Sequence, residues 1–170
     1  MLIFKDILSN DEMISDVYDL KEVDGTLYEA DCAMITIKKG ADVDIGANAS
    51  AEEASEELED GQETVNNIVH SFRLNSTNFD KKGYLTYLKG YMKAVKSKMQ
   101  EKGKSAEEVA SFEKRAAAAA KKLIANFKDY EFYMGESMDV DGMVALLNYR
   151  EDGVTPYMIF WKDGLVQEKV

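Results

Sequence analysis

The feature that most restricts this chain is a change of hydrophobic period partway along it. From residue 81 onward, Tyr84, Leu85, Leu88, Tyr91, Met92, Val95 and Met99 recur at steps of three and four, which puts them on one side of a helix. Gly103 stops that helix. Ser105 and Glu108 then form an S-x-x-E capping box, each side chain satisfying an orphan backbone N–H of the other, so a second helix starts there. Its apolar side is Val109, Phe112, Ala116, Ala119, Ala120, Leu123 and Phe127. With so few residues between them, the two helices are predicted to pair as an antiparallel hairpin, an insertion over residues 78–128.

On both sides of the insertion the sequence reads as strands. Leu2, Ile3, Phe4, Ile7 and Leu8, then Val17, Tyr18 and Leu20, then Leu27, Met34, Ile35 and Ile37 suggest a meander with a tight turn at Asp24-Gly25. Thr64 to Leu74 also reads as strand. After Asp129 the runs Tyr130–Met134, Met143–Tyr149, Tyr157–Trp161 and one near Leu165 are separated by Asp141-Gly142, Asp152-Gly153 and Asp163-Gly164 at hairpin spacing. Pro156 falls at a strand entrance, where a missing N–H is tolerated. Residues 38–63 differ from all of this: seven acids lie between Glu52 and Glu63 with no base among them. Such a stretch buries too little apolar surface to offset ordering entropy, and a mobile acidic loop is predicted. The expected fold class is α+β, a mostly antiparallel β body carrying the helical hairpin, as one domain over residues 1–170.

Composition excludes several function classes. No run approaches the roughly 20 apolar residues of a membrane span, so no membrane partner is expected. The opening segment, with Lys5, Asp6, Asp11 and Glu12, lacks the pattern of a secretory signal and predicts an intracellular protein. Cys32 and His70 are the only residues of their kinds, so one chain cannot assemble a zinc site of Cys and His ligands. Cys32 has no basic neighbour in sequence, and His70 sits in an apolar run, where a structural or half-buried imidazole is expected; neither is taken as catalytic. The chain has no G-x-x-x-x-G-K-[ST] run for phosphate binding. The net charge of −11 argues against nucleic acid, yet thirteen Lys or Arg face only four Glu between Lys81 and Lys128. The molecule is predicted to be a charge dipole.

Two segments carry a family resemblance. Ile45-Gly46-Ala47-Asn48-Ala49-Ser50-Ala51-Glu52 resembles the first signature of the translationally controlled tumour protein family. Phe127, Phe132-Tyr133-Met134-Gly135-Glu136, Asp141-Gly142-Met143-Val144-Ala145 and Tyr149 resemble the second. Asp11-Glu12-Met13, Tyr91-Met92-Lys93 and the run Arg150 to Met158 extend the similarity over nearly the whole chain. The resemblance implies a β-tent with a protruding helical hairpin. It further implies a cytoplasmic, partly cytoskeleton-associated protein that serves protein synthesis and growth control by binding small GTPases, translation elongation factors or tubulin and microtubules. An alternative is a guanine nucleotide exchange factor for a Rheb-like small GTPase. Family members that dimerise through a terminal cysteine differ from this chain, which ends in Val170, and a monomer is expected.

The resemblance assigns GTPase contact to Glu12 and points to Gly135 and Glu136. A surface carboxylate could pair with the phosphate-binding lysine of a GTPase or compete with phosphate for Mg²⁺. The competing expectation is an ordinary solvated turn acid at Glu12 and a bulge glycine at Gly135. On the hairpin, Lys82, Lys89, Lys93, Lys96, Lys114, Arg115, Lys121 and Lys122 form a basic surface suited to acidic partners such as tubulin tails, or else a merely solvated helix face. Asp139-Val140-Asp141-Gly142 matches part of an EF-hand loop but ends at Asn148 where a bidentate Glu is needed; only weak Ca²⁺ binding is expected, and no other cofactor or metal.

Overall fold

The computed structural model describes residues 1–38 and 62–169. Among the described residues there are eleven strands: β1 (Leu2–Asp6), β2 (Glu12–Ser15), β3 (Leu20–Val23), β4 (Leu27–Asp31), β5 (Met34–Lys38), β6 (Gln62–Asn66), β7 (Asn75–Thr77), β8 (Glu131–Met134), β9 (Val144–Tyr149), β10 (Pro156–Trp161) and β11 (Leu165–Lys169). A short helix α1 (Asn67–Ser71) follows β6, and two long helices, α2 (Lys81–Glu101) and α3 (Ala106–Ala125), lie between β7 and β8. The strands form a six-stranded sheet in the order β3-β4-β10-β9-β8-β7, a three-stranded sheet β11-β1-β2 and the pair β5-β6. Every pairing is antiparallel. No helix among the described residues is long and apolar enough to cross a membrane.

Several expectations change. The N-terminal strands are not one meander: β1 and β2 pair with β11, whereas β3 and β4 join the larger sheet. The Asp24-Gly25 hairpin is present, with both residues at positive φ. Asp163-Gly164 is not a hairpin; it lies in a single 3₁₀ turn, after which β11 leaves β10 and pairs with β1. The run from Thr64 to Leu74 is strand only as far as Asn66, whose side chain accepts the amides of Ile68 and Val69 and so caps α1. Lys38, Gln62 and Glu63, placed by sequence in the acidic loop, pair within β5 and β6. The rest of that predicted loop, including the first signature, lies outside the described residues.

The core lies under the middle of the large sheet. Val144, Ala145, Leu146 and Leu147 are buried in succession along β9, and Met158, Ile159, Phe160 and Trp161 along β10. Burial at consecutive residues means that both faces of these strands are covered. One face meets the hairpin, where the Tyr84 ring lies 5.0 Å from Phe132 on β8 and Phe79 packs edge-on to both. The capping box is formed as read, Ser105 Oγ accepting from the Glu108 amide and Glu108 accepting from the Ser105 amide. Tyr84, Leu88, Tyr91, Val95 and Met99 of α2 are buried, as are Val109, Phe112, Ala116, Ala119 and Leu123 of α3. Full burial of the valine, leucine, methionine and phenylalanine side chains among them contributes about 1.5–3 kcal/mol each. The expected apolar stripe is wider than what is covered, because Leu85 remains 39% exposed and Met92 and Ala120 only half-buried.

Tyr84, Tyr87 and Tyr91 stack along α2 at 5.9 and 5.7 Å, and burial raises all three phenols above their usual pKa. The unfolded chain loses these protons near pH 10 while the fold retains them, so stability is full below about pH 10 and falls as pH rises beyond it. In an alkaline titration these three should yield tyrosinate absorbance only in one step that coincides with loss of helical circular dichroism. Smooth titration of all nine tyrosines near pH 10 with the helices intact would contradict this packing.

Candidate functional site

The site begins with two aspartates that bracket the turn between β1 and β2. Asp6 is 2% exposed, and its carboxylate accepts four hydrogen bonds. Leu8 N donates to Oδ1 at 3.1 Å, while Oδ2 receives Ser9 N at 3.3 Å, Ser9 Oγ at 2.6 Å and Met143 N at 2.7 Å. The first three shape the turn itself; the fourth ties it to the loop between β8 and β9, far away in sequence. Asp11 makes a second tie. Its Oδ2 accepts Ser137 Oγ at 2.7 Å, and Ser137 N points at both oxygens at 3.3 Å. Asn10, between the aspartates, takes φ +67°, a conformation asparagine tolerates better than most residues.

These ties explain two glycines of the second signature. A Cβ on Gly135 would stand 2.4 Å from Asp11 Oδ2, and one on Gly142 would stand 2.7 Å from Asp6 Oδ2. Each glycine is a place where a carboxylate lies directly over the backbone. Asn75 Nδ2 holds the Gly135 carbonyl from the β7 side at 3.1 Å. From the hairpin, Tyr87 Oη donates to Gly142 O at 2.7 Å and accepts Val144 N at 2.9 Å. The β8-β9 loop is thus clamped by the N-terminal turn on one side and by α2 on the other.

Glu12, Gly135 and Glu136 are thereby brought into one neighbourhood, with Asp11 as the link. Glu12 and Glu136 are exposed, and Gly135 is buried beneath Asp11. Glu12 stands opposite Lys5 in the β1-β2 register, but Lys5 Nζ is taken by Glu168 at 2.7 Å, and Glu12 makes no ion pair among the described residues. The Glu168 carboxylate holds the Lys5 ammonium pKa above its ordinary value, with a smaller contribution from Glu12. Glu136 faces Arg73 at 3.6 Å, both largely exposed, an arrangement worth little to stability. The residue that sequence reasoning missed is Asp11. In the sequence it stands only as a neighbour of Glu12 in the Asp11-Glu12-Met13 resemblance, and its partner glycine lies more than a hundred residues away.

The eight hairpin cations divide into two groups. Lys96 pairs with Glu113 across the helices at 3.1 Å, Arg115 reaches Asp163 at 3.3 Å and also donates to Gly25 O, and Lys122 meets Asp24 at 3.0 Å. Arg115 and Lys122 therefore fasten the hairpin to the β body. Lys82, Lys89, Lys93, Lys114 and Lys121 are exposed and make no ion pair among the described residues. At Asp139-Asp141 the flanks are strands, and Asp139 Oδ1 accepts the Asp141 amide at 2.9 Å, so the turn is braced internally. Among the described residues no three His, Cys, Asp or Glu side chains converge as a metal site. His70 is exposed at the end of α1, neither in a strand nor half-buried as expected. Cys32 is buried, and desolvation raises its thiol pKa, which opposes thiolate chemistry.

Comparison with known proteins places this arrangement in a family. The family described as translationally controlled tumour protein matches residues 1–166. A translationally-controlled tumor protein homolog of Schizosaccharomyces pombe is 64% identical over 169 residues, covering 99% of both chains. Homologs of Gibberella zeae and Saccharomyces cerevisiae are 67% and 59% identical over 100% of both chains. The solved structure of translationally controlled tumor-associated protein p23fyp from Schizosaccharomyces pombe, 64% identical and covered in full on both sides, gives a TM-score of 0.82. The solution structure of the Caenorhabditis elegans translationally-controlled tumor protein, 32% identical with 100% and 99% coverage, gives 0.72.

The geometry at Gly135 makes a coupled prediction. Gly135→Ala should destabilise the chain by about 1–3 kcal/mol through overpacking against Asp11. In a double-mutant cycle read by urea denaturation, Asp11→Gly, which removes the Asp11 Cβ 2.7 Å from that position along with the carboxylate, should recover a substantial part of that loss. Simple additivity of the two changes would show that the carboxylate does not lie over this glycine.

Proposed function

Because the chain belongs to the translationally controlled tumour protein family, we propose that it is a cytoplasmic regulatory binding protein that engages a small GTPase through the surface around Glu12 and Glu136. One observation carries this reading: the Asp11 ties fix two sequence-distant acidic segments side by side, leaving Glu12 exposed and without an ion pair among the described residues. A backbone segment held in that way loses little further freedom when Glu12 meets a cationic phosphate-binding site. Glu12 would pair with the GTPase lysine or compete for its Mg²⁺, favouring the state with nucleotide weakly held. We expect Glu12→Val to weaken binding to a Rheb-like GTPase about tenfold without loss of fold. Equal affinity would remove Glu12 from the contact. GDP release measured in the same samples separates an adaptor, which leaves the off-rate unchanged, from an exchange factor, which must bind the empty GTPase more tightly than the loaded one.

A second reading concerns the hairpin. Five lysines on α2 and α3 that make no ion pair among the described residues favour an acidic partner such as the tails of tubulin, and with it partial association with microtubules. Elongation factors with acidic segments fit the same chemistry. Co-pelleting with microtubules should decline steeply with added salt, and Lys89→Glu with Lys93→Glu should weaken it further. Pelleting indifferent to both would sink this reading.

A further inference from the structure

A broad depression runs between the two hairpin helices, lined by residues of α2 and α3 alone, with a volume of about 780 Å³. Its floor is apolar. Leu88, Phe112 and Ala116 lie at the bottom and are at most 3% exposed, while Leu85, Met92 and Ala120 form the more accessible walls. These accessible side chains are part of the helical stripe that the other described residues leave uncovered. Along α3 the lining includes three alanines, Ala116, Ala117 and Ala120, whose short side chains open the space and allow another backbone to approach closely. Lys89, Lys93, Lys96 and Lys121 rim the groove, opposed by one acid, Glu113, which Lys96 already neutralises.

From this combination we infer that the groove docks an amphipathic helix of a partner protein, apolar on one face and acidic along its flanks. The inference rests on the hairpin being a binding surface and names the kind of partner it takes. From Leu85 to Lys96 is about 16 Å of helix, or three turns, which matches the apolar i, i+3, i+4, i+7 anchors of one docked helix. The lysine rim supplies charge complementarity to acidic flanks and discriminates against basic amphipathic helices. An extended acidic tail would meet the lysines but leave the apolar floor uncovered. A second copy docking two-fold would bring the same lysines against one another. A flat anionic bilayer would contact the rim and not reach the recessed floor.

The test uses the full chain, labelled with ¹⁵N and titrated with three probes. One is a capped peptide of about sixteen residues, long enough for four helical turns, with leucines at the anchor spacing and glutamates on both flanks. The others are a polyglutamate peptide of equal length and phosphatidylserine vesicles. The amphipathic peptide should gain helical circular dichroism on binding and shift the amides of Leu85, Met92, Ala117, Ala120 and Ile124. Ala120→Glu, and separately the exposed pair Lys89→Glu and Lys93→Glu, should each weaken it at least tenfold. Polyglutamate binding as tightly, or vesicles perturbing the same floor amides more strongly than the peptide, would overturn the groove assignment while leaving the electrostatic reading of the hairpin intact. No binding by any probe would overturn both.

Discussion

The site of this protein depends on a buried carboxylate. Asp6 is enclosed at the end of β1 and satisfied by four donors, three from its own turn and one from Met143. Removing it would leave the buried Met143 amide without its acceptor, a loss of about 1–3 kcal/mol, and would release the part-buried Leu8 and Ser9 donors that shape the turn. The consequence reaches beyond stability. With Asp6 in place the turn has one shape, and Asp11 at its far end is delivered onto Gly135 and Ser137. The two glycines of the signature are the complementary half of this arrangement, since a side chain on either would displace a carboxylate.

The same loop receives the hairpin. Tyr87 closes a pair of hydrogen bonds with Gly142 and Val144, one residue on either side of the amide that Asp6 holds. The N-terminal turn and α2 thus share a support, although their exposed surfaces have opposite charge. Acidic groups surround the turn, while the hairpin exposes lysines that make no ion pair among the described residues. Part of the basic surplus has a structural use: Arg115 and Lys122 meet Asp163, Gly25 and Asp24 of the body, so opposite charges fasten the two parts together. Counting lysines by sequence does not separate these anchors from the cations left for partners.

Much of this was legible in advance because it is local. The helical period, the capping box at Ser105 and Glu108 and the turn at Asp24-Gly25 depend on residues a few positions apart, and each is found where read. The misreadings concern partner choice. Asp163-Gly164 has the chemistry of a hairpin turn, yet β11 pairs with β1, a decision made by surfaces far apart in the chain. Asn66 converts an apparent strand into a helical turn because one side chain captures two amides. The site was legible only by resemblance: Glu12, Gly135 and Glu136 could be named from motifs, but the aspartate that unites them is recognisable only once the β1-β2 turn and the β8-β9 loop are seen in contact. The groove was hidden for a related reason, as periodicity shows which side of a helix is apolar and not how much of that side its neighbours cover.

Native-state hydrogen exchange at the Met143 amide is the most direct test of the central claim. If Asp6 pins the loop, Met143 should exchange as slowly as the core amides of β9, and Asp6→Asn should accelerate it together with Ser137 while leaving the α3 amides protected. Fast exchange at Met143 in the unmodified chain, or an Asp6→Asn chain whose Ser137 and Met143 amides are unchanged, would contradict the account.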